Sequence, residues 1–456
     1  MTTKRVVIIG GGPAGIEAAR TAASAGSDQV HVTLITDGPL GGRAGWHSLV
    51  PSKVWLATAD TYGLLSEAQE MGVRIGSKPL VDEGTVLRRI HEVSTIWNAR
   101  QEDILQKLGV EIITGIGSLA GPQQVIVADP NGKTETIQAE AIILASGSVP
   151  RFPAEMKPDG VRILAPRFAG HIKKLPASII VVGAGATSSE FVYLFNRLGV
   201  QVTWIVDEYG VLPAFDPEGG QYLLEVMRQR GVEVVQPEMA LRIETEDEGV
   251  AVTTSGAGYY RAAAAFIGIG RAPDLSRLNL AAVGLQPGLK DGLAIDDFCQ
   301  TAVPGIYAVG DLSGGPMLAN KAIIQARIAG RHASGAKTQP FRPESVVHAI
   351  YSEPQVAQVG WLQGEEASLQ TVKLPYASAL KAHLLPDGTG FIKLAFNPQS
   401  RKITGALAAG FHAADVLAPV ALAIRLNATV EDLASVSMAY PTISELAMLV
   451  AESAAQ

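Results

Sequence analysis

An α/β fold is predicted by two features of the 456-residue chain. Two segments that begin 173 residues apart (183 − 10) each pass from a short β-branched strand through a glycine turn into a helix. Beyond them the chain alternates short strands with helices and carries no third glycine turn. Two Rossmann-like βαβ domains followed by a C-terminal α+β domain account for that order. With 47% hydrophobic and 18% charged residues, each domain can bury a core of its own.

The first segment opens on the strand Arg5 to Ile9, continues as Gly10-Gly11-Gly12-Pro13-Ala14-Gly15, and becomes an alanine-rich helix to about Ala25. Each of three glycines has a physical task. Gly10 makes the tight turn, Gly12 lets backbone approach a pyrophosphate, and Gly15 lets helix and strand pack closely, with the phosphates at the positive helix N-terminus. Asp37 lies 22 residues past the last glycine (37 − 15), after the strand Val30 to Ile35, where an acid can hold a ribose hydroxyl pair. The second segment runs from Ser178 to Val182, then Gly183-Ala184-Gly185-Ala186-Thr187-Ser188, then a helix to about Leu198. Ser188 replaces the third glycine and is small enough to keep the helix on the strand. The next strand, Val200 to Val206, ends in Asp207 and Glu208 with no cation beside them, which favours NADH over NADPH because a 2′-phosphate wants one. Two such sites in one chain suggest a flavin and a nicotinamide.

The remaining elements are shorter. Gln123 to Ala128 and Glu135 to Gln138, split by the turn Pro130-Asn131-Gly132, read as a small β-meander inside the first domain. Strands are expected near Val346 to Tyr351, Gly390 to Phe396 and Ile403 to Ala409, with helices from Asp415 and from Thr442. The longest apolar run, Val416 to Leu426, contains Pro419 and Arg425, falls short of the ~20 residues of a spanning helix, and reads as a buried helix. A net charge of −7 without a cluster of Lys and Arg argues against nucleic acid as a partner. A single cysteine, Cys299, excludes a disulfide framework and a cysteine zinc site and fits a reducing compartment, so a cytoplasmic protein is expected. No HExxH, CxxC or GxSxG pattern points to a metal or a hydrolase.

Gly41 to Lys53 reads Gly-Gly-Arg-Ala-Gly-Trp-His-Ser-Leu-Val-Pro-Ser-Lys. It resembles the redox-active segment GGxCxxxxCxPSK of the flavoprotein disulfide reductases (lipoamide dehydrogenase, glutathione reductase, mercuric reductase), with Ala44 and Leu49 where both cysteines would stand. Ala145-Ser146-Gly147 resembles that family's ATG segment, Gly270-Arg271-Ala272-Pro273-Asp274 its GRxPN segment, and Thr301 to Asp311 its second FAD fingerprint. The resemblance spans essentially the whole chain. It implies an FAD domain at 1–150 and 275–340, an NAD(P) domain at 151–274, and a dimerisation domain at 341–456 that completes the partner's active site in a homodimer.

The resemblance also implies roles. Asp311 would hold the flavin's ribityl chain, and Gly41, Gly42, Gly117, Gly310, Met317, Leu318 and Ala319 would complete the flavin site with the residues above. Asn320 takes the place of a family histidine in Leu318 to Ala322. Gly183, Gly185, Asp207 and Gly270 fall to the nicotinamide nucleotide. Lys53 would lie beside flavin N5, paired with Glu190, where a positive charge favours reduced flavin.

The stretch Ala439 to Glu445 resembles the family's HPTxSE motif with the thiol's histidine base replaced by Tyr440, and Met438 stands at a second histidine position. Tyr440 is a phenol that can donate a hydrogen bond to a quinone carbonyl, or can simply fill the vacated space. Glu445 either closes a capping box with Thr442 at the last helix or orients a catalytic group. Trp46 is expected to pack, His47 can supply a proton to a reduced acceptor, and Cys299 is expected to be an inert strand thiol. The reading that follows is an FAD-dependent NAD(P)H dehydrogenase serving a non-disulfide acceptor, foremost a quinone. A redox-sensing or electron-carrying subunit with a protein partner, and a pyridine nucleotide transhydrogenase, are the alternatives.

Overall fold

The structure, a computed structural model, describes residues 4–26, 29–288, 292–363 and 369–456. Its main helices are α1 (Pro13–Gly26), α2 (Gly42–Trp46), α3 (Leu49–Glu67), α4 (Glu83–Lys107), α5 (Ala186–Arg197), α6 (Pro217–Gln229) and α7 (Ala319–Ala333). Two compact units divide the chain.

The first unit comprises residues 1–51, 88–151 and 270–342. Its sheet has the strand order Ile306–Ala308, Ala141–Leu144, Lys4–Ile9, Val30–Thr36, Glu111–Thr114, all parallel. Both faces are covered, which is why the inner strands carry the unbroken apolar runs Val6 to Ile9 and Ala141 to Leu144. Val6 and Ile8 pack with Ala18, Ala22, Ala326 and Ala329 of α1 and α7, while Val7 and Ile9 face Leu119, Val125 and Val127. Those last three belong to the expected meander, Ile116–Gly121, Gln124–Ala128 and Thr134–Gln138, whose strands pair antiparallel in sequence order.

The second unit comprises residues 52–87, 152–269 and 343–456. It holds a parallel sheet in the order Glu233–Val235, Gln201–Ile205, Ser178–Val182, Ala264–Ile267, Ile163–Leu164. It also holds an antiparallel sheet in the order His348–Ile350, Gln355–Gly360, Ile403–Gly410, Gly390–Phe396, Gln370–Pro375. Helices Ala418–Leu426 and Leu446–Ala455 cover that second sheet through Val420, Ile424, Leu446 and Val450.

Three local expectations are corrected. The run Val416 to Leu426 is broken, because Pro419 sits in the first turn of a new helix, where its missing N–H costs nothing. That helix is amphipathic: Val420, Ala423 and Ile424 are buried, while Leu422 and Leu426 are exposed. The last helix starts at Leu446 and not at Thr442. Cys299 lies in a left-handed bend (φ 65°) and not in a strand, although it is fully buried. Among the described residues no helix is long and apolar enough to cross a membrane, and no group of His, Cys, Asp or Glu could hold a metal ion.

Candidate active site

In the first unit the glycine turn is sterically enforced. A Cβ on Gly10, whose φ is +118°, would lie 2.3 Å from the Ala145 carbonyl oxygen, and one on Gly15 would lie 1.7 Å from that of Gly10. At Gly12 the same construction meets no atom within 4 Å. The N-terminus of α1, with Pro13 and Ala14 in its first turn, therefore opens onto unfilled space. Gly41 donates its N–H to Gly11 O at 2.9 Å, which lays the Gly41-Gly42 turn beside that opening. Asp37 follows the second strand and is ion-paired with Arg277 at 2.6 Å, so a ribose bound there would share it with a guanidinium. A Cβ on Gly117 would lie 3.1 Å from Ile9 Cγ2 and 3.3 Å from Ile35 Cγ2.

The three motifs assigned to the flavin site form one network. Ser148 donates to Asp311, and Arg271 donates to Ser148 Oγ and O, each at 2.8 Å. Ser146 Oγ donates to Asp274 O at 2.6 Å. Gly147 has a φ of +76° and open space where a Cβ would stand, as has Gly270 at +110°. Gly310 donates its N–H to Gln325 Oε1 at 2.9 Å, and the extended Leu318, after Met317, leads into α7 at Ala319.

Sequence reasoning missed two residues of this network. Arg43 reaches Asp274 at 2.6 Å and the carbonyls of Ser146 and Ser148 at 3.3 and 3.2 Å. Lys321 is buried, donates to Gly314 O at 2.5 Å, and has its affinity for a proton lowered chiefly by burial, against the pull of Asp311. A lysine adjoining Asn320 in the motif was the available signal. Trp46 packs as a ring against His91 and donates Nε1–H to Leu40 O at 2.7 Å, while His47 is exposed.

In the second unit Gly183 (φ +97°) makes the turn, and at Gly185 the space a Cβ would take is open. Ser188 is fully buried and donates to Gly268 O at 3.0 Å, so it fills the third glycine's place and cross-links the helix to the neighbouring strand. Asp207 caps its own turn by accepting from Tyr209 N–H at 3.1 Å.

The structure brings Lys53 and Glu190 together. Lys53 Nζ donates to Glu190 Oε1 at 2.7 Å, and the side chains are 36% and 9% exposed, so the carboxylate is nearly dry and the ammonium is not. The pair is the first of three polar rungs between α3 and α5. Tyr193 donates to Asp60 at 2.6 Å, and Arg197 meets Glu67 at 2.5 Å. Residues 53, 60 and 67 fall seven apart on one face of α3, and 190, 193 and 197 share a face of α5. Gly63 makes room for the last rung, since a Cβ there would lie 2.0 Å from Arg197 Nε. Tyr351, absent from the sequence-based site, donates its backbone N–H to Glu190 Oε1 at 3.1 Å and carries Lys53 Nζ 4.5 Å above its ring centroid.

Two residues beyond Tyr351, burial first and then the Asp60 charge push the Glu353 carboxyl up from its ordinary 4.5 to about 7. The folded state therefore keeps a proton that the unfolded chain releases. The stability this provides is complete below pH 4.5 and is lost as pH rises through 7. Glu353→Gln should raise the melting temperature over wild type at pH 8 and change it little at pH 4.5, as calorimetry at the two pH values would read. An equal gain at both would place the carboxyl in solvent.

The C-terminal motif is arranged otherwise than its sequence suggests. Glu445 is buried, yet it has an α-helical backbone at the N-cap of Leu446–Ala455 and makes no capping bond, and Thr442 Oγ1 donates to Ala439 O at 2.8 Å. The capping box does not form, because the threonine hydroxyl is already engaged in the turn and the helix begins one residue beyond the glutamate. Glu445 Oε1 has no hydrogen-bond partner among the described residues. Tyr440 is 72% exposed and fills no space in the chain.

The profile described as pyridine nucleotide-disulphide oxidoreductase matches residues 4–326, and that of the same family's dimerisation domain matches residues 346–450. A Mycobacterium tuberculosis protein named NAD(P)H dehydrogenase (quinone) is 32% identical over 454 residues, covering 96% of this chain and 92% of that one. A Chlorobaculum tepidum dihydrolipoyl dehydrogenase is 30% identical over 450 residues, covering 96% and 94%. Among solved structures, LpdA from Mycobacterium tuberculosis superposes with a TM-score of 0.93 at 30% identity, covering 99% of each chain. The flavoprotein disulfide reductase RclA from Escherichia coli, at 21% identity and a TM-score of 0.83, covers 98% of this chain and 99% of its own and shares the fold.

Proposed function

Because the chain belongs to the pyridine nucleotide-disulphide oxidoreductase family, whose members depend on FAD and NAD(P), we propose that it oxidises NADH and reduces a quinone. It is a flavin oxidoreductase without the redox-active cysteine pair, since its one cysteine lies at 299. The observation that carries the proposal is the Lys53–Glu190 pair, intact at 2.7 Å beyond a segment whose thiol positions are Ala44 and Leu49. The relative named a quinone dehydrogenase supports the choice of acceptor.

Bound FAD supplies the two-electron relay between a nicotinamide and an acceptor. The chain's own residues bind and orient. Gly10, Gly12 and Gly15 would receive its pyrophosphate at α1, and Asp311, bonded to a Ser148 that Arg271 holds in turn, would hold its sugar-alcohol chain. Gly183 and Gly185 would receive the second dinucleotide, and Asp207 with Glu208 would take an unphosphorylated ribose. Lys53 would supply a cation to the hydride step, and Glu190 fixes the direction of its side chain. A homodimer through residues 346–450 completes the proposal, and the single buried thiol suits a cytoplasmic location.

The test is spectroscopic. Anaerobic NADH should bleach the visible flavin band within one turnover, and menadione should restore it repeatedly, with lipoamide and glutathione disulfide inert. Bleaching without reoxidation by any small quinone would sink the quinone reading and favour a subunit that needs a protein partner.

A further inference from the structure

We infer that Tyr351 is a positioning residue for Lys53, holding its ammonium by the face of the ring, and that the hydride step depends on this hold. The inference rests on the proposed role of Lys53 and deepens it. Glu190 Oε1 accepts from two donors, Lys53 Nζ at 2.7 Å and Tyr351 N–H at 3.1 Å. The backbone that fixes the carboxylate thus also fixes the ring, and the ring lies under the ammonium at 4.5 Å from its centroid. One ion-pair partner constrains a lysine's distance but leaves its four-carbon stem free to swing about the contact. A ring face beneath the same nitrogen removes that freedom, because a cation is attracted along the ring normal.

The exposures are consistent with a positioning role. Lys53 is 36% exposed, so its pair with Glu190 alone is a weak restraint. Tyr351 is itself 44% exposed, and its phenol hydroxyl has no hydrogen-bond partner among the described residues, so the residue is not held there as core or by its oxygen. Partial burial and then the Glu190 charge raise the phenol's pKa, so the ammonium meets a neutral ring. The strand His348–Ile350 delivers Tyr351 to this place.

The experiment compares Tyr351→Phe, Tyr351→Leu and Lys53→Met with wild type in two measurements. The first needs no cofactor: the ring-current shift of the Lys53 ε-methylene in selectively labelled protein, assigned by its disappearance in Lys53→Met. The second is the anaerobic rate of flavin reduction by NADH. Tyr351→Phe should keep both the upfield shift and the rate. Tyr351→Leu should lose the shift and slow reduction about two- to fivefold, the range that a partly exposed cation–π contact converts to. If Lys53→Met slows reduction and Tyr351→Leu does not, the inference is overturned while the role of Lys53 stands. A slow Tyr351→Phe also overturns it, since the hydroxyl and not the ring would then be acting. If Lys53→Met itself reduces at the wild-type rate, the proposed role and the inference fall together.

Discussion

Lys53→Met should leave flavin bound and slow its reduction by NADH about a hundredfold, the scale on which removal of one preorganised charge acts. Methionine keeps most of the apolar stem, so the change is chiefly electrostatic. Glu190 would then keep only the Tyr351 N–H on an oxygen that now accepts two donors. Breaking a buried pair costs about 3–5 kcal/mol. Here the lysine end is 36% exposed and water can replace it, so about 1–2 kcal/mol is the reasonable loss of stability. Stopped-flow bleaching of the visible band and chemical denaturation separate the two effects. An unchanged bleaching rate would remove Lys53 from the hydride step.

Gly15→Ala should produce a protein without flavin. The added methyl would sit 1.7 Å from the Gly10 carbonyl oxygen, which is backbone and cannot turn aside. Helix α1 must lift from its strand, at about 3 kcal/mol or more by the cost of overpacking a close contact. Gly12→Ala is the informative contrast. Its methyl enters open space, so the cofactor-free fold should melt as wild type does while flavin retention falls, because that space is where the pyrophosphate would approach. The ratio of flavin to protein after purification, together with calorimetry of the cofactor-free forms, reads both outcomes. A yellow Gly15→Ala protein with the wild-type melting temperature would show that the helix has slack at this crossing.

The two glycine turns were legible because their requirement is local: a backbone angle, a close approach and a helix start within six residues. Ser188 was legible as a substitute for the same reason, and the structure adds only its bond to Gly268. Lys53 and Glu190 were reachable from a motif, since nothing in their spacing of 137 residues announces a contact. Arg43 illustrates what was not legible. Its carboxylate partner lies 231 residues away, and an arginine inside a motif carries no mark of the residue it will meet. Tyr351 was hidden because half of its function is a backbone N–H, which every residue but proline owns. The capping alternative for Glu445 failed for the opposite reason. Thr442 to Glu445 satisfies a local capping pattern, but Thr442 donates instead to Ala439 in the preceding turn.

Cys299 bears on the chemistry in a different way. Quinones are electrophiles as well as oxidants, and a thiolate adds to their rings. A reductase that keeps an accessible low-pKa thiol near its acceptor is open to alkylation by its own substrate. This chain's one thiol is fully buried, and burial pushes its pKa up to about 12, so almost none of it is thiolate at neutral pH. The absence of cysteines at positions 44 and 49 thus does more than close a disulfide route: it leaves the folded protein with no reactive thiolate that an electrophilic ring could alkylate.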